Sequence, residues 1–259
     1  MARLLDPIIF EQPLNERTRL FLRLERLFHR IEHHTNMDSH WDSQACIRYL
    51  VELCEIANRG DLKTDIIKEL ERQFSALKPL MDEPSIDHSR LDALLERQQA
   101  LQASIYNTDG RMTQRMRSDE LIAAIQQRTC MPGGGCDFDL PAYHLWLCQP
   151  LAQRIQKVEE WTAPFEHARE AISLCLEVLR LSAQSKTLVA EQGFYNQTLD
   201  TRRPPQLLRV IIGRDLACYP EISAGKHRFS IRFFQLPDTY ERPVPCEDDI
   251  EFSLSSCGV

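Results

Sequence analysis

The spacing of apolar residues changes near residue 186, and this change constrains the fold more than any other feature of the sequence. Before it, apolar positions recur at intervals of three and four, which is typical of helices with one buried face. On the first predicted helix these positions are Leu20, Leu24, Leu27 and Ile31. After it, short runs alternate between apolar and polar residues and are separated by Pro, Gly and Asp. The sequence therefore predicts an α+β fold, with an antiparallel helical domain over residues 14–185 and a smaller antiparallel β-strand domain over residues 186–259.

Helix-capping residues predict the limits of the helices in the first domain. The second helix is expected to begin with a cap at Asp42 or Ser43. It is expected to end at Gly60, because glycine favours the left-handed conformation that often follows the last helical turn. The third helix is expected to run from Asp61 to Pro79, and the predicted caps of the two helices after it are Asp87, and either Ser118 or Asp119. A further helical region is expected to open at Pro141.

Four segments after residue 186 have the alternation of β-strands, and they are VAEQGFYNQ, LLRVIIG, HRFSIRFFQL and DIEFSLS. In the third segment, the apolar residues on one face are Phe229, Ile231 and Phe233. The polar residues on the opposite face are Arg228, Ser230 and Arg232. This pattern predicts a sheet with one packed face and one wet face. The N-terminal segment IIFEQP is also short and β-prone, so a strand at residues 7–12 is expected to join that sheet.

The charge balance limits which partners the chain can bind. The sequence has 31 Lys and Arg residues against 38 Asp and Glu residues, a net charge of −7. A general nucleic-acid coat needs a basic surface, so nucleic acid is not an expected partner. A nucleic-acid-binding module stays open as an alternative, because the strand domain contains a local basic cluster. The same cluster is also consistent with an ordinary wet sheet face or with a second surface for acidic peptides. The residues of this cluster are Arg202, Arg203, Arg209, Arg214, Lys226 and Arg228.

Neither a membrane span nor a signal peptide is predicted. No run of about 18 apolar residues occurs, and the opening MARLLDPIIFEQP has no long apolar core. We therefore expect a cytoplasmic protein that does not insert into a membrane. The nine cysteines are odd in number and irregularly spaced, so they are expected to be reduced core thiols rather than a disulfide framework.

A row of arginines lies on the first predicted helix, and its members are Arg19, Arg23, Arg26 and Arg30. At about 100° per residue they occupy an arc of roughly 60° beside the leucine face. Guanidinium groups next to an apolar groove suit a peptide that carries carboxylates and a hydrophobic anchor. The alternative is a solvated basic face whose charges pair with nearby acids such as Glu16 and Glu25.

The glycine run at residues 132–135 (PGGG) is expected to form a tight turn. Its backbone amides can also bind an anion, although the spacings of a P-loop and of a dinucleotide-binding loop are absent. An alternative function is therefore a nucleotide- or phosphometabolite-binding enzyme that uses this turn, Arg128 and His144. Because the sequence has no nucleophile elbow and no kinase signature, it nominates no catalytic residue, and an enzyme would have to use residues that no motif reveals.

Two groups of potential metal ligands lack the spacing of metal-binding motifs. Cys130 and Cys136, with His144 downstream, are further apart than a CxxC pair and have no second pair to complete a site. His29 and His33 lie four residues apart on a helix, but without the HExxH pattern. The sequence therefore predicts neither a metal site nor a cofactor.

Longer strings of the sequence resemble a known family, and they are FEQPLNERTRLFLRLE, RGDLKTDIIKELERQ, MPGGGCDFDLPAYHLWL, QGFYNQ and YPEISAGKHRFSIRF. From about Phe10 to Phe233 and in this order, they resemble the ZapD family of bacterial cell-division proteins. The resemblance implies a cytoplasmic homodimer without enzymatic activity, located at the mid-cell division ring. It also implies that the protein binds the C-terminal tail of the tubulin-like protein FtsZ and bundles FtsZ protofilaments.

The resemblance further implies a basic pocket for the FtsZ tail. The matching positions are Arg19 and Arg23 in PLNERTRLFLR, and His144 in FDLPAYHLWL. Just before LIAA, where the family motif has another basic residue, this chain has Glu120. That contact is expected to be lost, or to be supplied by Arg117 one helical turn earlier.

Overall fold

The computed structural model describes residues 7–108, 111–129, 135–200, 202–235 and 242–259. The chain divides into two compact units. The helical unit is Phe21–Cys175, and the strand unit combines Leu176–Val259 with the chain up to Leu20. Cys130 and most of the predicted glycine turn lie outside the described residues.

Helices and antiparallel strands are both abundant, which confirms the predicted α+β fold class. The helices are α1 (Glu16–Thr35), α2 (His40–Asn58), α3 (Leu62–Leu77), α4 (His88–Tyr106), α5 (Gln114–Arg117), α6 (Glu120–Thr129), α7 (Pro141–Leu147), α8 (Leu151–Thr162) and α9 (Glu166–Leu181). Short 3-10 turns follow α3 at Lys78–Asp82 and α8 at Ala163–Phe165. Within the described ranges, no helix combines the length and the apolar character that crossing a membrane requires.

Side-chain caps begin α3, α4 and α6, and the sequence predicts the caps of α4 and α6. Asp61 and Asp87 accept hydrogen bonds from the backbone N–H groups of Thr64 and Arg90, and so cap α3 and α4. Of the two candidates for the cap of α6, it is Asp119 whose carboxylate accepts hydrogen bonds from the first backbone N–H groups of the helix. These caps satisfy donors that have no partner inside the helix.

The start of α2 differs from the prediction. Ser39 is its cap and accepts a hydrogen bond from the backbone N–H of Trp41, at 3.1 Å. Asp42 and Ser43 therefore lie inside the first turn, and their side chains bind partners on other segments. Asp42 Oδ1, for example, lies 2.7 Å from Nδ1 of His34. With Ser39 as the cap, three residues before Asp42, the side chains of Asp42 and Ser43 are available for tertiary contacts.

The end of α2 also differs from the prediction. Gly60 does not adopt a left-handed conformation, since the positive φ angles of described glycines belong to Gly135 and Gly193. The C-cap is Arg59, with φ of −72° and ψ of −15°. Asp61 caps α3 immediately afterwards.

Most of the apolar face predicted for α1 is buried in the helical unit, whereas Leu20, its first residue, is partly buried and belongs to the strand unit. Leu24, Leu27 and Ile31 are 0%, 3% and 4% exposed. Phe28 joins this face, and its ring centroid lies 6.5 Å from that of Phe165. The partner helix α2 packs against α6 and α7 as well. It is therefore a central element of this unit.

The strand unit contains two antiparallel sheets. The strands are β1 (Ile8–Pro13), β2 (Lys186–Ala190), β3 (Phe194–Thr198), β4 (Leu207–Ile212), β5 (Cys218–Ala224), β6 (Arg228–Gln235), β7 (Val244–Pro245) and β8 (Ile250–Cys257). The first sheet has the order β1-β4-β8-β2. The second has the order β3-β6-β5, and β7 also pairs with β6. The sequence did not predict β5, which contains Pro220, and its place at a sheet edge explains why proline is tolerated there.

The alternation predicted for β6 is confirmed. Phe229, Ile231 and Phe233 are at most 1% exposed, whereas Arg228 and Arg232 are exposed. The buried residues of β6 share one apolar core with residues of the other sheet. Across this core, the ring centroids of Phe233 and Phe252 are 5.4 Å apart. The two sheets therefore pack face to face.

The segment VAEQGFYNQ forms two strands, β2 and β3, and not the single strand predicted. Gln192 and Gly193 turn the chain between them with φ angles of 48° and 67°. Two consecutive left-handed residues are typical of tight hairpin turns. A side chain at Gly193 would place its Cβ 2.6 Å from the carbonyl oxygen of Cys246, so only glycine fits. The turn moves the chain from the first sheet to the second.

A cluster of three charged residues connects elements of the strand unit. Glu11 of β1 accepts two hydrogen bonds from Arg180 of α9, at 2.9 and 2.8 Å, and one from Arg209 of β4, at 3.0 Å. The side chains of Glu11, Arg180 and Arg209 are 19%, 25% and 20% exposed. Burial alone would raise the pKa of Glu11, but the hydrogen bonds and charges of the two arginines together lower it.

Candidate partner-binding site

The arginine row on α1 begins close to the start of the helix. Asn15 sets this start, because its Oδ1 accepts a hydrogen bond from the backbone N–H of Thr18 at 2.8 Å. Arg19 follows, with 38% of its side chain exposed and its Nε 3.4 Å from Oε1 of Glu16. Pairing with a nearby acid, the alternative noted from the sequence, is therefore present at Arg19.

Arg23 and Arg26 differ from Arg19. Both are exposed, and within the described ranges neither side chain has a hydrogen bond or an ion pair. Arg30 is held in another way, since its guanidinium lies 5.0 Å from the centre of the Tyr49 ring on α2. The middle of the row thus presents two unpaired positive charges to solvent.

Arg117 lies at the end of the short helix α5. Buried Met116 anchors this helix, and Thr113 just before it donates a hydrogen bond to Oδ1 of Asn58 on α2, at 2.7 Å. Arg117 is exposed and close enough to Cys54 for its charge to act on that thiol. Burial raises the pKa of Cys54, and the charge of Arg117 opposes that rise. Arg117 therefore lies beside the C-terminal half of α2.

Glu120, the acidic residue at the family's basic position, is the exposed first residue of α6. An acid in the first turn interacts favourably with the helix dipole. Asp119, immediately before it, accepts hydrogen bonds from Trp161 at 2.9 Å and Lys157 at 3.0 Å. Burial alone would raise the pKa of Asp119, but these contacts and its capping role outweigh burial and lower it.

His144 lies on α7, with about half of its side chain exposed. Its Nδ1 is 3.1 Å from Oδ1 of Asp137. The opposite face of α7 is anchored by buried Tyr143 and Trp146, and the Trp146 ring lies 5.9 Å from that of Trp161. His144 is therefore an exposed side chain on a firmly packed helix.

The four predicted site residues do not bind one another. Arg23, Arg117 and His144 belong to the helical unit, and Arg19 lies in the part of α1 assigned to the strand unit. The three residues of the helical unit have α2 as a common reference, because α1 and α7 contact α2 and Thr113, just before α5, donates a hydrogen bond to it.

Exposed apolar side chains near His144 were not predicted from the sequence. Phe138 is 82% exposed and Leu145 is 67% exposed. Leu145 follows His144 directly, and Phe138 follows Asp137, which contacts His144. The sequence predicts that a helix opens at Pro141. The helical period then places Leu145 outward, away from the buried Tyr143 and Trp146, so the exposure of Leu145 could have been predicted from the sequence.

The structure also bears on the sequence-based alternatives. In the basic cluster of the strand unit, Arg209 is held by Glu11 and Arg214 also has an interaction, so neither is an unengaged charge. Arg128 is exposed on α6, but residues 132–134 of the PGGG turn, which would act with it, lie outside the described part of the chain. Across the described residues, no three His, Cys, Asp or Glu side chains are placed to hold a metal ion.

The fold and the site together define an α+β protein whose helical unit presents arginines without partners among the described residues, a histidine and exposed apolar side chains, as is typical of proteins that bind other proteins. Comparison with known sequences identifies the family. A family model described as ZapD, cell division protein, matches residues 22–232. The chain therefore belongs to the ZapD family of cell division proteins.

Individual relatives cover nearly the whole chain. It is 39% identical to the cell division protein ZapD of Methylococcus capsulatus, over 97% of this chain and 98% of that protein. It is 37% identical to ZapD of Chromobacterium violaceum, over 96% and 99%. Identity to ZapD of Nitrosomonas eutropha is 34%, over 97% and 100%. Names that refer to cell division do not favour the alternative of a nucleotide-binding enzyme.

Proposed function

We propose that this protein binds the C-terminal tail of FtsZ and, as a homodimer, cross-links FtsZ protofilaments at the mid-cell division ring in the cytoplasm. Membership in the ZapD family supports the proposal. The observation that carries it is the pair of exposed arginines, Arg23 and Arg26, without partners among the described residues. An unpaired guanidinium in water binds a carboxylate without first breaking an internal ion pair.

The tail is expected to contact Arg19, Arg23, His144 and Arg117. Carboxylates of the tail are held by the arginines, whose planar forks match a carboxylate with two hydrogen bonds. The exposed rings and methyl groups of Phe138 and Leu145 offer contact area for an apolar side chain of the same peptide. No metal or cofactor takes part in this mode of binding.

Bundling follows from two tail sites on one homodimer. A filament displays many tails, so weak individual contacts combine into strong attachment, and a dimer can hold two filaments at once. Exposed contacts between arginine and carboxylate are screened over about 8 Å at physiological ionic strength. Light scattering of FtsZ filaments with this protein is therefore expected to fall steadily as salt is added, and bundling that is indifferent to salt contradicts a tail held by charge.

Co-sedimentation with GTP-polymerised FtsZ tests the proposal directly. The wild-type protein is expected to pellet with full-length filaments. It is expected to stay in the supernatant with FtsZ that lacks its C-terminal tail. The Arg19→Ala, Arg23→Ala double variant is expected to lose most of its pelleting, because two charge-assisted contacts are removed.

Arg90→Ala is the matched control for this experiment. Arg90 is also an exposed arginine of the helical unit, but it lies in the first turn of α4, outside the proposed site. Its removal is expected to leave pelleting unchanged. A wild-type protein that never pellets, or that pellets equally with tail-less filaments, overturns the proposed function. Equal losses in Arg90→Ala and in the double variant overturn the choice of residues.

A further inference from the structure

Three side chains near the proposed site form a row from a carboxylate to a thiol. Asp137 Oδ1 lies 3.1 Å from Nδ1 of His144. Nε2 of the same imidazole lies 3.8 Å from Sγ of Cys148. All three residues are exposed, and His144 and Cys148 are four residues apart on and just after α7. Nucleophile, base and orienting carboxylate thus occur in the order that activates a cysteine.

The donor and acceptor roles in this row follow from its chemistry. An ionised carboxylate only accepts hydrogen bonds, so Nδ1 of His144 carries the hydrogen that faces Asp137. In the neutral imidazole, Nε2 then has a free lone pair, and the S–H of Cys148 donates to it. The imidazole is therefore oriented to take the proton from the thiol.

The row is built on well-anchored backbone. Arg154 is 3% exposed, and its Nε donates to the carbonyl of Gln149 at 3.1 Å, directly after Cys148. The turn that presents Asp137 is closed by hydrogen bonds from the N–H groups of Asp139 and Leu140 to the carbonyl of Cys136, both at 3.0 Å. These contacts hold the ends of the row in place, as a reactive group requires.

Most other thiols of the described chain are buried. Burial raises the pKa of Cys46 and Cys218 to about 11 each, so both are poor nucleophiles near neutral pH. The described cysteines that are exposed are Cys136 and Cys148. Cys136 therefore serves as a reference thiol in the same molecule.

We propose that Cys148 is a thiol-modification site, at which His144 acts as the base and a low-molecular-weight disulfide is the co-reactant. The thiol proton moves to Nε2 of His144, and the thiolate attacks one sulfur of the disulfide. A new S–S bond forms at Cys148 while the original S–S bond breaks. The departing thiolate takes the proton back from His144, so the products are a mixed disulfide and one free small thiol.

The modification would regulate the proposed tail site, and this consequence rests on the proposed function. A mixed disulfide at Cys148 stands one helical turn from His144. With glutathione, the added group is bulky and carries two carboxylates and one ammonium. It obstructs the imidazole and repels an acidic peptide, so tail binding is expected to weaken.

The first experiment measures reactivity without any partner. The protein is incubated with oxidised glutathione, and the modified fraction at each cysteine is followed by peptide mass mapping. Cys148 is expected to react about tenfold faster than Cys136, since a positioned base accelerates the step. His144→Gln is expected to remove this advantage. His167→Gln, which changes another exposed histidine of the helical unit, is expected to retain it.

Circular dichroism of each variant confirms that it is folded before its rates are compared. Equal rates at Cys148 and Cys136 in the wild-type protein overturn the proposal. An unchanged rate at Cys148 in folded His144→Gln overturns it as well, because exposure alone then explains the reactivity.

The second experiment tests regulation by fluorescence anisotropy with a labelled peptide of the FtsZ tail. Modified protein is expected to bind at least about tenfold more weakly than untreated protein, and dithiothreitol is expected to restore binding. Cys148→Ser is expected to bind like untreated wild type and to be insensitive to oxidised glutathione. Unchanged binding after modification overturns the regulatory role. If untreated protein does not bind the peptide, the proposed function and its regulation both fail, while the first experiment still decides the reactivity of Cys148.

Discussion

Arginines have opposite surroundings in the two units. In the strand unit, the side chains of Arg180 and Arg209 are three-quarters and four-fifths buried, and both bind Glu11. In the helical unit, Arg23 and Arg26 are exposed and have no partner within the described residues. The first pair connects β1, β4 and α9, and the second pair connects nothing within the described chain.

This difference indicates what each pair contributes. A guanidinium removed from water must keep its counter-ion, because an unpaired buried charge is strongly destabilising. A guanidinium in water has no such requirement and contributes little to folding. The paired arginines are therefore expected to stabilise the fold, and the unpaired ones to act in binding.

The largest expected effect is on stability, from Glu11→Ala. This change leaves Arg180 and Arg209 partly buried without their carboxylate, so the free energy of unfolding is expected to fall by about 3 kcal/mol. Urea denaturation measures it. The control is Glu16→Ala, whose carboxylate is 90% exposed and contacts an arginine at 3.4 Å, and its expected change is below about 0.5 kcal/mol. Equal effects of the two variants would remove the distinction between the units.

The second largest effect is on binding, from Arg23→Glu. Reversing an exposed charge is expected to weaken binding of the FtsZ tail peptide about tenfold or more, which corresponds to about 1.4 kcal/mol. The free energy of unfolding is expected to stay within about 0.5 kcal/mol of wild type. Arg90→Glu should change neither quantity. A large loss of stability in Arg23→Glu would show that this arginine has a structural role after all.

A smaller effect is expected in the dependence of stability on pH. The folded-state pKa of Glu11 is lowered from its ordinary value of 4.5. The ionised carboxylate therefore makes its full contribution to the free energy of unfolding above pH 4.5, and this contribution is lost as the pH falls through the folded-state pKa. Urea denaturation at neutral and acidic pH should therefore show the difference between wild type and Glu11→Gln narrowing in acid. A difference that stays constant would mean that the carboxylate charge is not what stabilises the cluster.

The smallest effect is expected from Glu120→Arg, which restores the basic residue of the family motif. The new charge lies near Arg117 in sequence and is expected to strengthen binding of the tail peptide about threefold, or roughly 0.6 kcal/mol. Some helix stability should be lost, because the acid in the first turn of α6 interacts favourably with the helix dipole. Isothermal titration calorimetry with the peptide measures the gain, and weaker binding would place position 120 outside the tail contact.

Local features of the fold were predicted well because their causes are local. The buried face of α1, the cap Asp87, and the alternation in β6 each depend on residues a few positions apart. The predictions failed where distant contacts decide. Ser39 caps α2 while Asp42 binds His34, and the segment around Gly193 turns tightly against Cys246.

At the candidate site, too, sequence reasoning succeeded for local features and failed where contacts between separate segments decide. Spacing alone placed the arginines of α1 on one face, and the resemblance singled out His144. Sequence reasoning could have found Cys148, since it follows His144 by one helical turn. Asp137 comes from the turn before α7, and its contact with His144 depends on how that turn folds. The exposure of Phe138 could not be derived from periodicity either.

Patterns in the amino-acid sequence were enough to predict the fold class, the limits of several helices, the row of arginines on α1 and the family to which the chain belongs. Which arginines lack a partner among the described residues depends on contacts that form only in the folded chain. Arg209 belonged to an apparent basic cluster, yet folding places it opposite Glu11 on the neighbouring strand. The reason is physical, because spacing along the chain gives the direction of a side chain, while its solvation and its partner depend on segments far away in sequence.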